Sequence, residues 1–85
     1  MSSFHAIVYG RLIDALVVAR KSANLTQAEL GERIGARQTF VSKIELGERR
    51  LDVAEFIKVS RAIGADPHKL IREAESEAPG SGPNR

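Results

Sequence analysis

Residues that start and stop helices recur along this chain at short intervals, and this spacing constrains the fold more than any other feature. Thr26 is followed three residues later by Glu29, and Asp52 by Glu55. Each pair matches a capping box, in which two side chains satisfy each other's free backbone N–H groups at the start of a helix. Gly35 stands where the second helix must stop, because glycine readily adopts the left-handed conformation that ends a helix. The pattern predicts an all-α fold.

The start and stop signals divide the chain into five helical segments joined by short turns. These are expected from about Ile7 to Ser22, after Thr26, from Arg37 to Leu46, after Asp52, and from Asp66 with Pro67 onward. Within them, apolar residues recur three or four positions apart, the spacing of a helix face that packs into a core. The residues expected to face this core are Val8, Leu12, Ile13, Leu16, Val17, Ala19, Leu30, Ile34, Phe40, Val41, Ile44, Val53, Phe56, Ile57, Ile63, Leu70, Ile71 and Ala74.

A chain of 85 residues is long enough for one domain with a small core. We expect residues 1–6 to form an N-terminal extension, residues 7–77 the folded domain, and residues 78–85 a flexible tail, since APGSGPNR cannot pack. The longest apolar stretch, from Ala15 to Ala19, is far shorter than the roughly 18 residues of a membrane span. With no cysteine and no signal-peptide pattern, a cytoplasmic location is expected.

The residue types needed for catalysis or metal binding are scarce. No cysteine is available as a nucleophile or a zinc ligand, and His5 and His68 lie 63 residues apart with no further ligand pattern around them. Asp66 is explained as a helix cap. Ser42 lies in no nucleophile elbow, and no strand scaffold for one is predicted. We therefore expect neither an enzyme, nor a metal site, nor a cofactor.

The distribution of charge is more informative than the net charge of +2. Residues 1–50 carry eight Lys and Arg against five Asp and Glu, whereas residues 51–85 carry five against six. The positive excess therefore lies in the half of the chain that contains residues 27–45. A positive surface there is compatible with a nucleic-acid partner.

Between Gln27 and Glu45 the sequence reads QAELGERIGARQTFVSKIE, and its small and apolar residues are spaced for two helices joined by a tight turn. Gly31 is small where the two helices must cross closely, and Gly35 supplies the turn. The apolar residues that the two helices share are Leu30, Ile34, Val41 and Ile44. This arrangement predicts a helix-turn-helix unit in which one helix face points outward.

A helix from Arg37 to Leu46 that turns Phe40, Val41 and Ile44 inward leaves four polar side chains outside. These four, the reading face, are Gln38, Thr39, Ser42 and Lys43. Glutamine can bond the N6/N7 edge of adenine, lysine the O6/N7 edge of guanine, and serine or threonine a base edge or the thymine methyl group. A face made only for solubility would more typically carry Glu–Lys pairs. The set indicates contacts to DNA bases.

About three quarters of the chain, roughly residues 12–74, resembles the lambda-repressor and Cro (XRE-like) family of helix-turn-helix domains, through LTQAELGERIG followed by FVSKIELGER. The resemblance implies a five-helix DNA-binding bundle. It also implies that Gln27 contacts a phosphate and braces Gln38, and that Arg20 forms an ion pair with Glu45. The alternative for Arg20 and Glu45 is two unpaired surface charges.

Residues around the reading face are expected to contact DNA phosphates, which fix the register of a protein on DNA. Arg49 and Arg50 lie where the resemblance implies a loop against the DNA backbone, although Glu48 departs from the basic pattern usual there. The full set expected at phosphates is Gln27, Arg37, Arg49, Arg50 and Lys21. Solvated helix faces are expected instead for Arg11, Lys58, Arg61, Lys69 and Arg72.

These features together predict a transcriptional regulator, acting as a repressor, that binds a palindromic operator as a homodimer, because one such helix covers only a few base pairs. The resemblance implies dimer contacts by Leu70, Ile71 and Ala74. An antitoxin, which would also bind a protein partner, and a restriction-modification controller are alternatives of the same fold. A protein-interaction module that has lost DNA binding is another. Phe4 and Tyr9 are either additional core cover or part of a partner surface.

Overall fold

Five α-helices make up residues 3–76, the part of the chain that the computed structural model describes. They are α1 (Phe4–Ser22), α2 (Gln27–Ile34), α3 (Gln38–Glu45), α4 (Val53–Ile63) and α5 (Pro67–Ser76). No strand occurs within these residues, and the all-α five-helix bundle expected from the sequence is confirmed. The expected tail, residues 78–85, lies outside the described residues.

Side chains close the first turns of α2 and α4. Thr26 Oγ1 accepts a hydrogen bond from the Glu29 N–H at 3.0 Å, and Glu29 Oε1 accepts one from the Thr26 N–H at 2.8 Å. Asp52 and Glu55 make the corresponding bonds at 2.7 and 3.0 Å. Both predicted capping boxes are therefore confirmed. The bond from the Thr26 backbone lowers the pKa of Glu29, because it favours the ionised carboxylate.

The first helix begins at Phe4, three residues before the expected start at Ile7. The Ser3 hydroxyl accepts a hydrogen bond from the Ala6 N–H at 3.1 Å and caps the helix there. Residues 4–6, expected to be part of an extension, thus form the first turn of α1. The apolar stripe that faces the core indicated a start near Ile7. The helix begins earlier because Ser3 caps it, and a cap need not lie next to the first core-facing residue.

The core is formed by one face of each helix. Its buried residues are Ile13, Leu16, Leu30, Ile34, Val41, Ile44, Phe56, Val59, Ile63 and Leu70. The expectation of three further core residues was wrong, since Val53, Ile57 and Ile71 are 74%, 45% and 45% exposed. Helix α4 instead turns Val59 and Ser60 inward. The Ser60 hydroxyl is satisfied there because it donates to the Phe56 carbonyl oxygen at 2.8 Å.

The turn between α2 and α3 brings the two helices close together. Gly35 ends α2 in the left-handed conformation, with φ 71° and ψ 32°, which glycine adopts without steric cost. A Cβ added at Gly31 would lie 2.8 Å from the Ala36 carbonyl oxygen and 3.2 Å from the Arg37 carbonyl carbon. The close crossing predicted at Gly31 is therefore a contact with the turn and with the residue that precedes α3. This contact sets the direction in which α3 leaves the turn.

Helix α3 is held against the bundle on its inner side. It packs on α1 and α2, while α1 also packs along α5 and α2 packs on α4. The outer side of α3 is consequently left open. Within residues 3–76, no helix combines the length and the apolar character needed to cross a membrane.

Candidate nucleic-acid interface

The outer side of α3 presents the reading face. Gln38, Thr39 and Lys43 are exposed and Ser42 is half-buried, whereas the opposite side of the helix is buried in the core. An α-helix with its side chains is about 10–12 Å in diameter. The major groove of B-DNA is about 12 Å wide and admits an α-helix. The reading face is therefore of a size to lie within one major groove.

Two positively charged side chains flank α3 and reach solvent. Arg37 is the residue at the amino-terminal cap of α3, is exposed, and makes no side-chain bond that caps the helix. Lys21 is exposed in the last turn of α1, and its charge acts on the carboxylate of Glu45 at the end of α3. Two of the residues expected at DNA phosphates thus lie near opposite ends of α3.

A hydrogen bond from Gln38 Nε2 to Gln27 Oε1, at 3.0 Å, holds the Gln38 side chain in place. Gln27 in turn donates from its own Nε2 to Glu45 Oε1 at 2.9 Å. The contact between Gln27 and Gln38 that the resemblance implies is therefore present. Because Gln27 is bonded at both its oxygen and its nitrogen, it links the two ends of α3 through the start of α2.

Arg20 and Glu45 join α1 to the end of α3 through a two-point ion pair. Arg20 Nε donates to Glu45 Oε2 at 2.7 Å, and Arg20 Nη2 donates to Glu45 Oε1 at 3.0 Å. Arg20 Nη1 also donates to the Leu25 carbonyl oxygen at 2.7 Å. The side chains of Arg20 and Glu45 are only 9% and 14% exposed. The two charges are therefore paired and largely buried, and the alternative of unpaired surface charges does not hold.

The carboxylate of Glu45 stays ionised despite its burial. Burial alone would raise the pKa of Glu45, because a carboxylate removed from water loses solvation. Hydrogen bonds from Arg20 and Gln27, with the positive charges of Arg20 and Lys21, outweigh burial and hold the pKa below its usual value. Glu45 therefore remains an acceptor at neutral pH, and Gln27 keeps its amide oxygen turned toward Gln38.

The α3–α4 loop, residues 46–52, is fixed by two arginines that lie over aromatic rings. The guanidinium of Arg49 lies 4.7 Å from the centroid of the Phe40 ring, and that of Arg50 lies 4.5 Å from the centroid of the Tyr9 ring. The Tyr9 hydroxyl also accepts a hydrogen bond from the Leu51 N–H at 2.9 Å. Tyr9 therefore supports the loop from α1, which answers the question that the sequence left open for this residue.

The guanidinium of Arg49, a residue expected to contact a DNA phosphate, is bonded to the carboxylate of Glu55. Nη1 and Nη2 of Arg49 donate to the two Glu55 carboxylate oxygens at 3.0 and 2.8 Å. Nη1 also donates to the Arg50 carbonyl oxygen at 2.6 Å. The bonds between the two side chains lower the pKa of Glu55 and raise the pKa of Arg49, so both groups remain charged.

Of the three residues expected at a dimer interface, only Ile71 reaches the surface, with 45% of it exposed. Leu70 and Ala74 are 5% and 3% exposed, because α5 packs along α1 within the same chain. The side chains of these two residues are therefore already covered within the chain, and of the three only Ile71 is accessible to a second chain.

Two contacts in this region have no signal in the sequence pattern. Glu55 was fully explained as a helix cap, yet its second carboxylate oxygen binds Arg49, six positions away. Tyr9 lies 42 positions from Leu51, and no local pattern indicates a contact at that separation. Phe4, the other aromatic residue left open, is 54% exposed. In the described part of the chain, no three His, Asp or Glu residues are grouped to hold a metal ion.

The chain is similar to one protein-family model and to solved structures of other proteins. A family model described as helix-turn-helix matches residues 18–70. Among solved structures, an XRE-family like protein from Pseudomonas syringae pv. tomato str. DC3000 superposes with a TM-score of 0.83 and is 48% identical in sequence. That alignment covers 88% of this chain and 92% of the other. Comparison with curated proteins finds no match.

Proposed function

The chain belongs to the XRE-type helix-turn-helix family of DNA-binding regulators, and we propose that it reads an operator through α3 in the major groove. The proposed operator is palindromic, the protein binds it as a homodimer, and the outcome is repression. Occupying an operator is sufficient to block transcription, so repression needs no surface beyond those that bind DNA and join the two copies of the protein. Access to that DNA agrees with the cytoplasmic location expected from the sequence.

The braced side chain of Gln38 carries the proposal. One of its two amide hydrogens is used on Gln27, which leaves the second hydrogen and Oε1 for a ligand. Adenine presents an acceptor at N7 and a donor at N6 in the major groove, and these match the two free groups of Gln38. Because Gln27 already fixes the amide, Gln38 loses less side-chain freedom when it binds a base.

The remaining members of the reading face extend the contact along the groove. Thr39 and Lys43 are exposed, so they can turn toward different base edges, whereas Ser42 is half-buried and has less freedom. The proposed phosphate contacts, which position the helix without reading sequence, come from side chains around the reading face. They are Lys21, Gln27, Arg37 and Arg50.

A homodimer is proposed because one helix covers only a few base pairs, and two half-sites about 34 Å apart on one face of DNA supply the missing specificity. Ile71 on α5 is exposed, and α4, which packs against α5, exposes Val53 and Ile57 as well. Exposed apolar residues on two neighbouring helices support a contact with a second copy of this chain. Sedimentation of a monomer, both alone and with a selected operator, would overturn this part of the proposal.

The test of base reading starts with selection of bound sequences from a random DNA pool by the purified protein. Gln38→Ala is then expected to weaken binding to the selected operator by about 1–3 kcal/mol and to relax preference at one base position. Ser76→Ala, at an exposed uncharged position at the end of α5, is the control and should bind like the wild type. If Gln38→Ala weakened binding to selected and random DNA equally, Gln38 would not be a base-reading residue.

A further inference from the structure

Two neighbouring arginines of the α3–α4 loop have different surroundings. The guanidinium of Arg49 binds both oxygens of the Glu55 carboxylate, at 3.0 and 2.8 Å, and its Nη1 also binds a backbone carbonyl oxygen. A phosphate binds arginine through the same fork of two parallel N–H donors. Glu55 therefore fills the place on Arg49 that a DNA phosphate would need.

Arg50 keeps its donors available. Its guanidinium carbon lies over the Tyr9 ring, 4.5 Å from the ring centroid, and no oxygen atom within residues 3–76 accepts a hydrogen bond from this guanidinium. Within residues 3–76, Arg50 forms no ion pair with a carboxylate. Arg49, by contrast, is bonded to Glu55 and also lies over the Phe40 ring, at 4.7 Å from the ring centroid.

We infer that Glu55 is an internal substitute for DNA phosphate, which keeps Arg49 as a positioning residue of the loop and leaves Arg50 as the phosphate contact. The inference rests on the proposed function, because it divides the work of two residues at the proposed DNA surface. Its consequence is that the protein binds the DNA backbone more weakly than it would if both arginines of the loop were free to bind phosphate.

The chemistry of the cap makes Glu55 suitable for a clean test. Glu55 Oε1 also accepts a hydrogen bond from the Asp52 N–H at 3.0 Å, and a glutamine at this position of a capping box can accept the same bond. Glu55→Gln thus retains the start of α4 while removing the negative charge that holds Arg49. Thermal unfolding followed by circular dichroism verifies that each variant is folded at the temperature of the assay.

The experiment measures the salt dependence of binding to random-sequence duplex DNA, since each phosphate neutralised adds about 0.9 to the slope of log K against log salt concentration. Arg50→Gln is expected to reduce the slope by about 0.9, whereas Arg49→Gln leaves it unchanged. Glu55→Gln is expected to increase the slope by about 0.9, because Arg49 becomes free to bind a phosphate. The double variant Arg49→Gln/Glu55→Gln should return to the wild-type slope, which excludes a general effect of the lost negative charge.

The opposite pattern would overturn the inference: a slope that falls in Arg49→Gln and stays unchanged in Glu55→Gln means that Arg49 already binds phosphate.

If the wild type bound no DNA at low salt, the proposed function itself would fail, and the inference would then be tested on the protein without DNA. Inorganic phosphate is then added while side-chain NMR resonances of the two arginines are followed. Shifts at Arg50 alone in the wild type, and at both arginines in Glu55→Gln, support the inference, whereas a shift at Arg49 in the wild type contradicts it.

Discussion

Removal of the negative charge of Glu45 is expected to destabilise the fold strongly, because it strands the guanidinium of Arg20 inside the protein. In Glu45→Leu, Arg20 loses both bonds to the carboxylate and keeps only the Leu25 carbonyl oxygen as an acceptor. Water reaches little of the Arg20 side chain, which is 9% exposed. The remaining positive charge is therefore buried without a counter-ion.

The size of the effect follows from the burial of each partner. Removing one member of a buried ion pair costs about 3–5 kcal/mol, and Glu45→Leu should fall in this range. Arg20→Met should cost less, about 1.5–3 kcal/mol, since the Glu45 side chain is 14% exposed and keeps its bond from Gln27. A domain of this size has a total stability of roughly 4–13 kcal/mol. At about 4–8 °C per kcal/mol, Glu45→Leu should lower the melting temperature by about 12 °C or more.

The decisive variant is the double substitution Arg20→Met/Glu45→Leu, which removes both charges and fills the space with apolar side chains. Replacing a buried ion pair in this way is often neutral, so the double variant should unfold within about 1 kcal/mol of the wild type. Urea unfolding followed by far-UV circular dichroism gives the free energies of all four proteins. As a control, the slope of free energy against urea concentration should be equal in the four proteins. Equal slopes indicate that their unfolded states are comparable.

A Glu45→Leu protein that lost less than about 1 kcal/mol of stability would refute the stranding of the Arg20 charge. A double variant as unstable as the sum of the two single variants would refute it too. In that case the losses would come from packing of the two side chains and not from an unpaired charge.

The stability of the fold is also expected to respond to pH and to side chains added at two glycines. Because the pKa of Glu45 is lower in the folded protein than the roughly 4.3 of an unfolded glutamate, its stabilisation is present above that value and is lost as pH falls through the folded pKa. Urea unfolding at about pH 5 and about pH 3 should therefore show a smaller loss of stability in Glu45→Gln than in the wild type; an equal loss would contradict the assignment. Gly10→Ala should raise the unfolding free energy by up to about 1 kcal/mol, because the added Cβ meets nothing within 4 Å in the middle of α1. Gly31→Val should instead lower it by about 1–3 kcal/mol, since its Cβ meets the backbone of the turn; similar effects at the two glycines would show that space does not distinguish them.

Much of the fold was predictable because helix ends are encoded locally. The partners of Thr26 and Asp52 lie three residues away, and Gly35 acts on its own backbone, so sequence spacing alone identifies these positions. The face of α4 was harder to predict, because Val53 and Ile57 are as apolar as the residues that are buried. Their exposure depends on how α4 is rotated against its neighbours, which is set by packing and not by the helix itself.

Some features of the candidate site could also be predicted from the sequence, and others could not. The outward position of Gln38 follows from helix periodicity, and its contact with Gln27 was expected from the resemblance. The competition between Glu55 and DNA for Arg49 was not expected, because a single residue, Glu55, acts both as a cap and as a counter-ion. A pattern that is already explained by one role gives no signal of a second.

The chain of hydrogen bonds that ends at Gln38 has a consequence for how binding preferences change during evolution or in the laboratory. Gln38 depends on Gln27, which depends on Glu45, which is held by Arg20. A new side chain at position 38 therefore has to suit a partner on another helix, and retargeting there calls for paired libraries at positions 27 and 38. Thr39 and Lys43 make no such contact within residues 3–76, so single substitutions there are the shorter route to a variant with a different operator.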